Sequence, residues 1–166
     1  TNKPLMARNP SSAPLSFTRE VTIRTSGPTL ETAGIRPMKY AYDYASSGQK
    51  NNDWVVYRYA DVLLMQAEAI LRGGTGTAGE ALDLVNSIRT NRGVAALTTL
   101  TLDGLLDERA RELYWEGWRR QDLIRFGKYL LAWQEKPADA NPRTLLYPIP
   151  KQQIAVNSNL KQNPGY

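Results

Sequence analysis

Three carboxylates stand four residues apart in the most highly charged stretch of the chain: Glu108, Glu112 and Glu116. On a helix this spacing lines them up on one face at roughly 6 Å per step. Glycosidic hydrolysis uses two carboxyl groups about 5–9.5 Å apart, so the spacing alone admits such chemistry. The neighbours argue against it. A catalytic pair straddles the scissile bond, usually from different elements and with one acid desolvated. Here Arg109, Arg111, Arg119 and Arg120 crowd the same segment, and Glu116 with Arg120 makes a favourable i,i+4 pair. The pattern reads as a structural ion network with no catalytic residue. Arg58, Asp61 and Glu68 upstream and Asp122 and Arg125 downstream join it, because charges on helices suited to burial need partners.

Other chemistries are narrowed by what is missing. The 166 residues include no Cys and no His. That removes disulfides, thiolate nucleophiles, the Ser-His-Asp arrangement and the commonest zinc ligands, and no metal or cofactor is expected. Gly73-Gly74-Thr75-Gly76 lacks the Gly-Lys-Ser/Thr of a phosphate loop and joins two predicted helices rather than strand to helix. The net charge of +5 invites a nucleic-acid reading, yet acidic and basic residues alternate through 107–125 and no basic run occurs, so no nucleic-acid partner is expected. No apolar run approaches the roughly 18 residues that read as a membrane span.

Aromatic residues offer binding chemistry instead. Pyranose rings present C–H faces that stack on flat side chains, while Asn, Asp, Lys and Arg read hydroxyls. Tyr40, Tyr42, Tyr44 and Trp54 flank a polar loop holding Asn51, Asn52 and Asp53. The ligand-binding candidates are Tyr42, Tyr44, Asn52 and Trp54, with ordinary packing over a helical core as the alternative. Trp115 and Trp118 are expected to pack, and Trp133 is a further exposed ring.

The elements that position these residues follow from periodicity. Residues 1–56 form a loop-rich segment with short strands expected at Phe17–Arg24 and Met38–Tyr44, where apolar or aromatic residues alternate with polar ones. Residues 57–166 form a helical region. A helix over 57–72 carries Tyr59, Val62, Leu63, Gln66, Ala67 and Ile70 at helical spacing, widened by Ala60, Leu64 and Leu71, and so much apolar surface implies burial among other helices. Thr77-x-x-Glu80 has the form of a capping box and opens a second helix that Gly93 ends, with Arg89 and Arg92 at its carboxyl end. A third helix runs from about Leu102 to Glu116 or Gly117, and Arg119–Leu131 continues as another. Leu146–Pro150 is extended by proline geometry. The first two helices with their turn match the ~34-residue period of tetratricopeptide hairpins. The fold class is therefore mainly α, built of tetratricopeptide-like helix pairs with loop-rich flanks and a few short strands. One such pair cannot bury its own faces, so the region reads as the end of a longer array.

Four blocks in series resemble the SusD/RagB family. Arg58-Tyr59-Ala60-Asp61-Val62-Leu63-Leu64 through Ala67-Glu68-Ala69 is similar to its Arg-Tyr-Ala-Asp/Glu-x-Leu-Leu helix. Asn86-Ser87-Ile88-Arg89 through Arg92-Gly93 resembles its Asn-x-Ile-Arg-x-Arg-x-Gly segment, with one additional residue before the second arginine. Asp107 through Gly127 resembles its long Glu-Arg…Glu-Gly-x-Arg-x-x-Asp-Leu-Ile-Arg-x-Gly signature, and Tyr147-Pro148-Ile149-Pro150 with Asn163-Pro164-Gly165-Tyr166 its usual finish. The resemblance implies the C-terminal portion of a longer, non-enzymatic protein that binds oligosaccharide and passes it to a SusC-like TonB-dependent transporter. It also implies an outer-membrane, surface-facing location through a lipidated Cys in an N-terminal part outside this chain, which would supply most ligand contacts. A helical-repeat scaffold that binds only protein partners, or capture of a peptide, are the alternatives.

Overall fold

The computed structural model describes residues 14–18, 34–36, 39–40, 53–133 and 136–166. The chain divides into two units, Thr1–Asp53 and Trp54–Tyr166. In the first, the Gly34 amide donates to Thr18 Oγ1 at 3.3 Å. Phe17 (φ 49°) and Tyr40 (φ 63°) adopt left-handed backbone that cannot continue a β-ladder, so neither expected strand is extended at these residues. The remainder of both, at 19–24, 38 and 41–44, lies outside the described residues.

All described helices lie in the second unit. They are α1 (Tyr59–Leu71), α2 (Ala78–Asn91), α3 (Leu102–Glu112), α4 (Arg119–Arg125), a 3₁₀ turn (Pro142–Leu145) and α5 (Lys151–Val156). This unit is helical, with an isolated antiparallel bridge between Trp133 and Lys136 rather than a described strand. α1 packs against both α2 and α3, and α3 against α4. Leu64, Ala67, Ala81, Val85, Ile88, Leu105 and Leu113 form the core they share.

Local chemistry explains most helix ends. Thr77 accepts from the Glu80 amide while Glu80 Oε2 accepts from the Thr77 amide, the reciprocal capping box read from the sequence. At the other end of α2, Gly93 (φ 67°) lets the Val94 amide reach the Arg89 carbonyl and its own amide reach Thr90, a Schellman closure. α1 closes in the same way through Gly73-Gly74. Space is short at Gly74, where an added Cβ would stand 2.7 Å from the Ala69 carbonyl oxygen.

Two helix lengths differ from expectation. α3 stops at Glu112, with Trp115 (φ 67°) and Gly117 (φ 81°) turning the chain before α4. Glu116 therefore stands beyond the helix and not on a shared face with Glu108 and Glu112. The cause is Arg58, whose guanidinium donates to the Glu112 carbonyl and satisfies the end of α3 from outside. α4 stops at Arg125 because Gly127 supplies a Schellman terminator, so Leu131 is not helical. Two short helices were not expected: the turn that Asn141 caps ahead of Pro142, and α5 after Pro150.

The rotation of α1 also departs from the expected stripe. Its buried line runs through Asp61, Leu64, Ala67 and Glu68, while Tyr59, Val62, Met65 and Gln66 face outward. Apolar residues surround nearly the whole helix, so hydrophobicity could not fix the rotation. The two acidic side chains did, by meeting arginines inside.

Candidate functional site

Arg109 is the centre of the charge network. Its side chain is 1% exposed. Nη1 pairs with Asp61 Oδ1 and Nε with Asp122 Oδ2, both at 2.8 Å, so one guanidinium ties α3 to α1 and to α4. Such desolvated charges hold only when paired and hydrogen-bonded. Asp122 Oδ1 accepts from Arg125 Nη2 at 2.8 Å, but Asp61 Oδ2 is buried with no hydrogen-bond partner among the described residues.

Arg125 extends the network to Glu68, with Nη1 at 2.6 Å from Oε1 and Nη2 at 2.9 Å from Oε2, a bidentate fork. Arg72 Nε reaches the same carboxylate at 2.8 Å. On the other side, Arg58 joins the Glu112 and Glu116 carboxylates, its Nε standing 2.9 Å from both Glu116 oxygens. Arg92 Nη2 adds a 2.7 Å bond to Glu112, and Glu108 Oε2 accepts from Arg89 (2.7 Å) and Arg111 (2.6 Å).

Nine of the ten expected network residues thus meet opposite charges. Arg120 does not pair with Glu116. Once α3 ends early, Glu116 turns to Arg58, and Arg120 donates to the Thr144 carbonyl at 2.6 Å and lies 4.2 Å over the Tyr147 ring. Arg89 and Arg92 were expected at the carboxyl end of α2, where a positive charge complements the helix dipole. They are network members, as are Arg72 and Arg111. The signal was available: on α2, Arg89 and Arg92 fall three residues apart, on a face that can meet the acids of α3.

The electrostatics of Glu112 and Glu68 run opposite to those of a general acid. Burial pushes the Glu112 carboxyl upward, but hydrogen bonds and charge from Arg92 and Arg58 outweigh it and hold its pKa below the ordinary 4.5. Glu68 behaves likewise: burial raises it, and Arg125 with Arg72 bring it below 4.5. A general acid needs the opposite shift. Because these folded-state pKa values are depressed, their stabilisation is complete above the unfolded value and is lost as pH falls through the folded one. Urea melts should therefore show the full contribution of Glu68 and Glu112, with no pH dependence arising from them, between about pH 6 and about pH 8, well above their titration. Below the ordinary value of 4.5 the melts should weaken progressively, and the slope should flatten in Glu68→Gln and Glu112→Gln.

Among the ligand-binding candidates, Tyr42, Tyr44 and Asn52 lie outside the described residues. Trp54 is 82% exposed. Nearby in sequence, Tyr57 packs on Trp118 with ring centroids 5.3 Å apart at 46°. This pair, with Met65, Arg72 and Gln121, lines a hollow of about 360 Å³ between α1 and α4. Trp118 also packs on the core, Trp115 is 64% exposed rather than packed, and Trp133 is 47% exposed beneath the Lys136 ammonium. Among the described residues no group of three or more acidic side chains gathers to hold a metal, and no helix is long and apolar enough to cross a membrane.

The sequence profile of the SusD family matches residues 22–141. The chain belongs to the SusD family. It is 35% identical to the starch-binding protein SusD of Bacteroides thetaiotaomicron over 87% of this chain and 28% of that protein. A laminarin-binding SusD-like protein of known structure superposes with a TM-score of 0.56 at 36% identity, covering 67% of this chain and 23% of the other. Surface glycan-binding protein A from Bacteroides uniformis superposes at 0.59 with 34% identity, covering 68% and 28%. The chain thus spans less than a third of the length of these SusD-family relatives, and the mainly helical fold is theirs.

Proposed function

We propose that the protein captures oligosaccharide at the bacterial cell surface without cleaving it and hands it to a SusC-like TonB-dependent transporter, tethered to the outer membrane by a lipidated N-terminal Cys. The observation that carries this reading is the 35% identity to a starch-binding SusD, maintained over 87% of the chain. The names of two structural relatives, one laminarin-binding and one glycan-binding, support the same ligand class. A non-catalytic role is supported by the fate of the carboxylates, since Glu108, Glu112 and Glu116 are each held by arginine. The proposed contacts within this chain are Tyr42, Tyr44, Asn52 and Trp54, and the 82% exposure of Trp54 supports its part as a stacking ring.

Affinity electrophoresis of the full-length protein against a polysaccharide panel tests the site. For whichever glycan retards it, Trp54→Ala should weaken retention about 5- to 10-fold, the worth of one stacking ring. Glu112→Gln should leave retention unchanged. Equal retention of Trp54→Ala and the parent would remove Trp54 from the site, and retardation by no glycan would favour a peptide ligand or a protein scaffold.

A further inference from the structure

Past Gly127 the chain doubles back on α4, and the Lys128 and Tyr129 amides both reach the Leu123 carbonyl, at 2.7 and 3.1 Å. The Tyr129 ring thereby returns to Arg120, whose guanidinium carbon lies 5.2 Å from its centroid. Further on, the two 3.0 Å hydrogen bonds of the Trp133–Lys136 bridge hold Lys136 beside the indole, with Nζ 4.9 Å from the ring centroid. Lys136 Nζ also stands 6.0 Å from the Tyr129 centroid. With Arg120 lying 4.2 Å over Tyr147, rings and cations alternate in one row: Tyr147, Arg120, Tyr129, Lys136, Trp133.

This row differs from the charge network in what its cations meet. Arg109 and Arg125 are answered by carboxylates. Among the described residues no carboxylate lies within ion-pair distance of Arg120 or Lys136. Asp139, in the same segment, instead accepts from the Asn141 amide at 2.8 Å and the Thr144 hydroxyl at 3.0 Å. Arg120 donates through Nη2 to the Thr144 carbonyl, and Lys136 to the Leu131 and Pro137 carbonyls at 3.1 and 3.3 Å, so both meet neutral acceptors. A ring quadrupole holds a cation in place without cancelling its charge. The ends of the row are open, with Tyr147 69% and Trp133 47% exposed.

We infer that this row binds an acidic oligosaccharide, one bearing uronate carboxylates or sulfate esters. Pyranose C–H faces stack on Tyr147 and Trp133, while the anionic substituents take charge-assisted hydrogen bonds from Arg120 and Lys136. A flat ring beside each cation suits a sugar that carries its own charge better than a bare phosphate. The inference rests on the reading of the protein as a glycan-capture protein, and adds to it the chemical class of the glycan and a contact region apart from Trp54.

Isothermal titration calorimetry of the full-length protein tests it, with oligogalacturonate, alginate and chondroitin sulfate oligosaccharides as acidic probes and malto-oligosaccharides as neutral ones. At least one acidic probe should bind, more weakly at about 500 mM than at about 50 mM salt. Arg120→Gln with Lys136→Gln should weaken that binding at least about 10-fold, the effect of losing one or more hydrogen bonds to a charged group. Arg111→Gln removes one positive charge from α3 and should leave the affinity unchanged within about 2-fold. Thermal melts followed by circular dichroism check folding, and Arg120→Lys should retain more binding than Arg120→Gln at comparable stability. Binding of the neutral probes alone would overturn the inference and leave glycan capture standing. Acidic binding that is indifferent to Arg120 and Lys136 would overturn it too, by placing the site elsewhere. Binding of no oligosaccharide would overturn both readings. Sedimentation with phosphatidylglycerol vesicles that the double variant loses, without binding of any acidic probe, would replace the glycan with a lipid surface.

Discussion

Arg109→Leu is expected to cost the helical unit about 3–5 kcal/mol, as breaking a buried pair by removing one partner does. The guanidinium is 1% exposed and answers two carboxylates that are themselves 1–2% exposed. Without it, Asp61 and Asp122 are left in a low-dielectric site, and Asp61 already has one oxygen without a partner among the described residues. Arg125 still serves Asp122, so the larger penalty falls on Asp61. The triple variant Asp61→Asn, Arg109→Met, Asp122→Asn removes all three formal charges together and should recover most of the loss. Urea denaturation followed by circular dichroism measures both. A loss below about 1 kcal/mol for Arg109→Leu, the ordinary range of an exposed pair, would show that the triad does not hold α1, α3 and α4 together.

Arg58→Leu is expected to cost about 2–3 kcal/mol, the range for losing hydrogen bonds to charged groups. Arg58 sits at the N-cap of α1, yet its guanidinium lies at the end of α3, joining two carboxylates and the Glu112 carbonyl. The Glu116 side chain is 2% exposed, so it cannot exchange that contact for water without moving. Arg92 keeps part of the Glu112 interaction, which places the effect below that of Arg109. Arg58→Lys should restore less than half, because a point charge cannot serve two carboxylates and a carbonyl in one plane. Hydrogen exchange localises the change: amides of Leu113–Gly117 should lose protection first. Equal stability of Arg58→Leu and the parent would detach the motif from the turn it is argued to build.

These two arginines show how far the sequence could be read. Charges placed on helices otherwise fit for burial announced a network, and spacing announced α1, α2 and the start of α3. The partner of each charge was less legible, because an i,i+4 rule sees one helix at a time. Glu116 looked like a partner for Arg120, yet a residue 58 positions earlier takes it. The same guanidinium also takes the Glu112 carbonyl at the early end of α3, a tertiary effect that no local periodicity records. Gly127, by contrast, is a terminator legible in the sequence, and it ends α4 well before Leu131. The rotation of α1 was hidden for another reason: when apolar residues surround a helix, burying two acids sets its orientation. The ligand-binding side is the least developed, since of four aromatic and amide candidates Trp54 alone falls among the described residues. The family was legible from motif order because a charge network of this kind fixes many residue types at once, whereas sugar stacking asks merely for flat rings.

The central claim is binding without bond cleavage, and one measurement tests both halves. The full-length protein is run in native gels containing individual polysaccharides, and the same mixtures are assayed for new reducing ends. The expected result is retardation by at least one glycan with no release of reducing ends over the same period. Release of reducing ends that Glu112→Gln abolishes would contradict the account, since it would give one of the locked carboxylates a catalytic role. Absence of retardation by every glycan would contradict it too, and would move the protein to another ligand class.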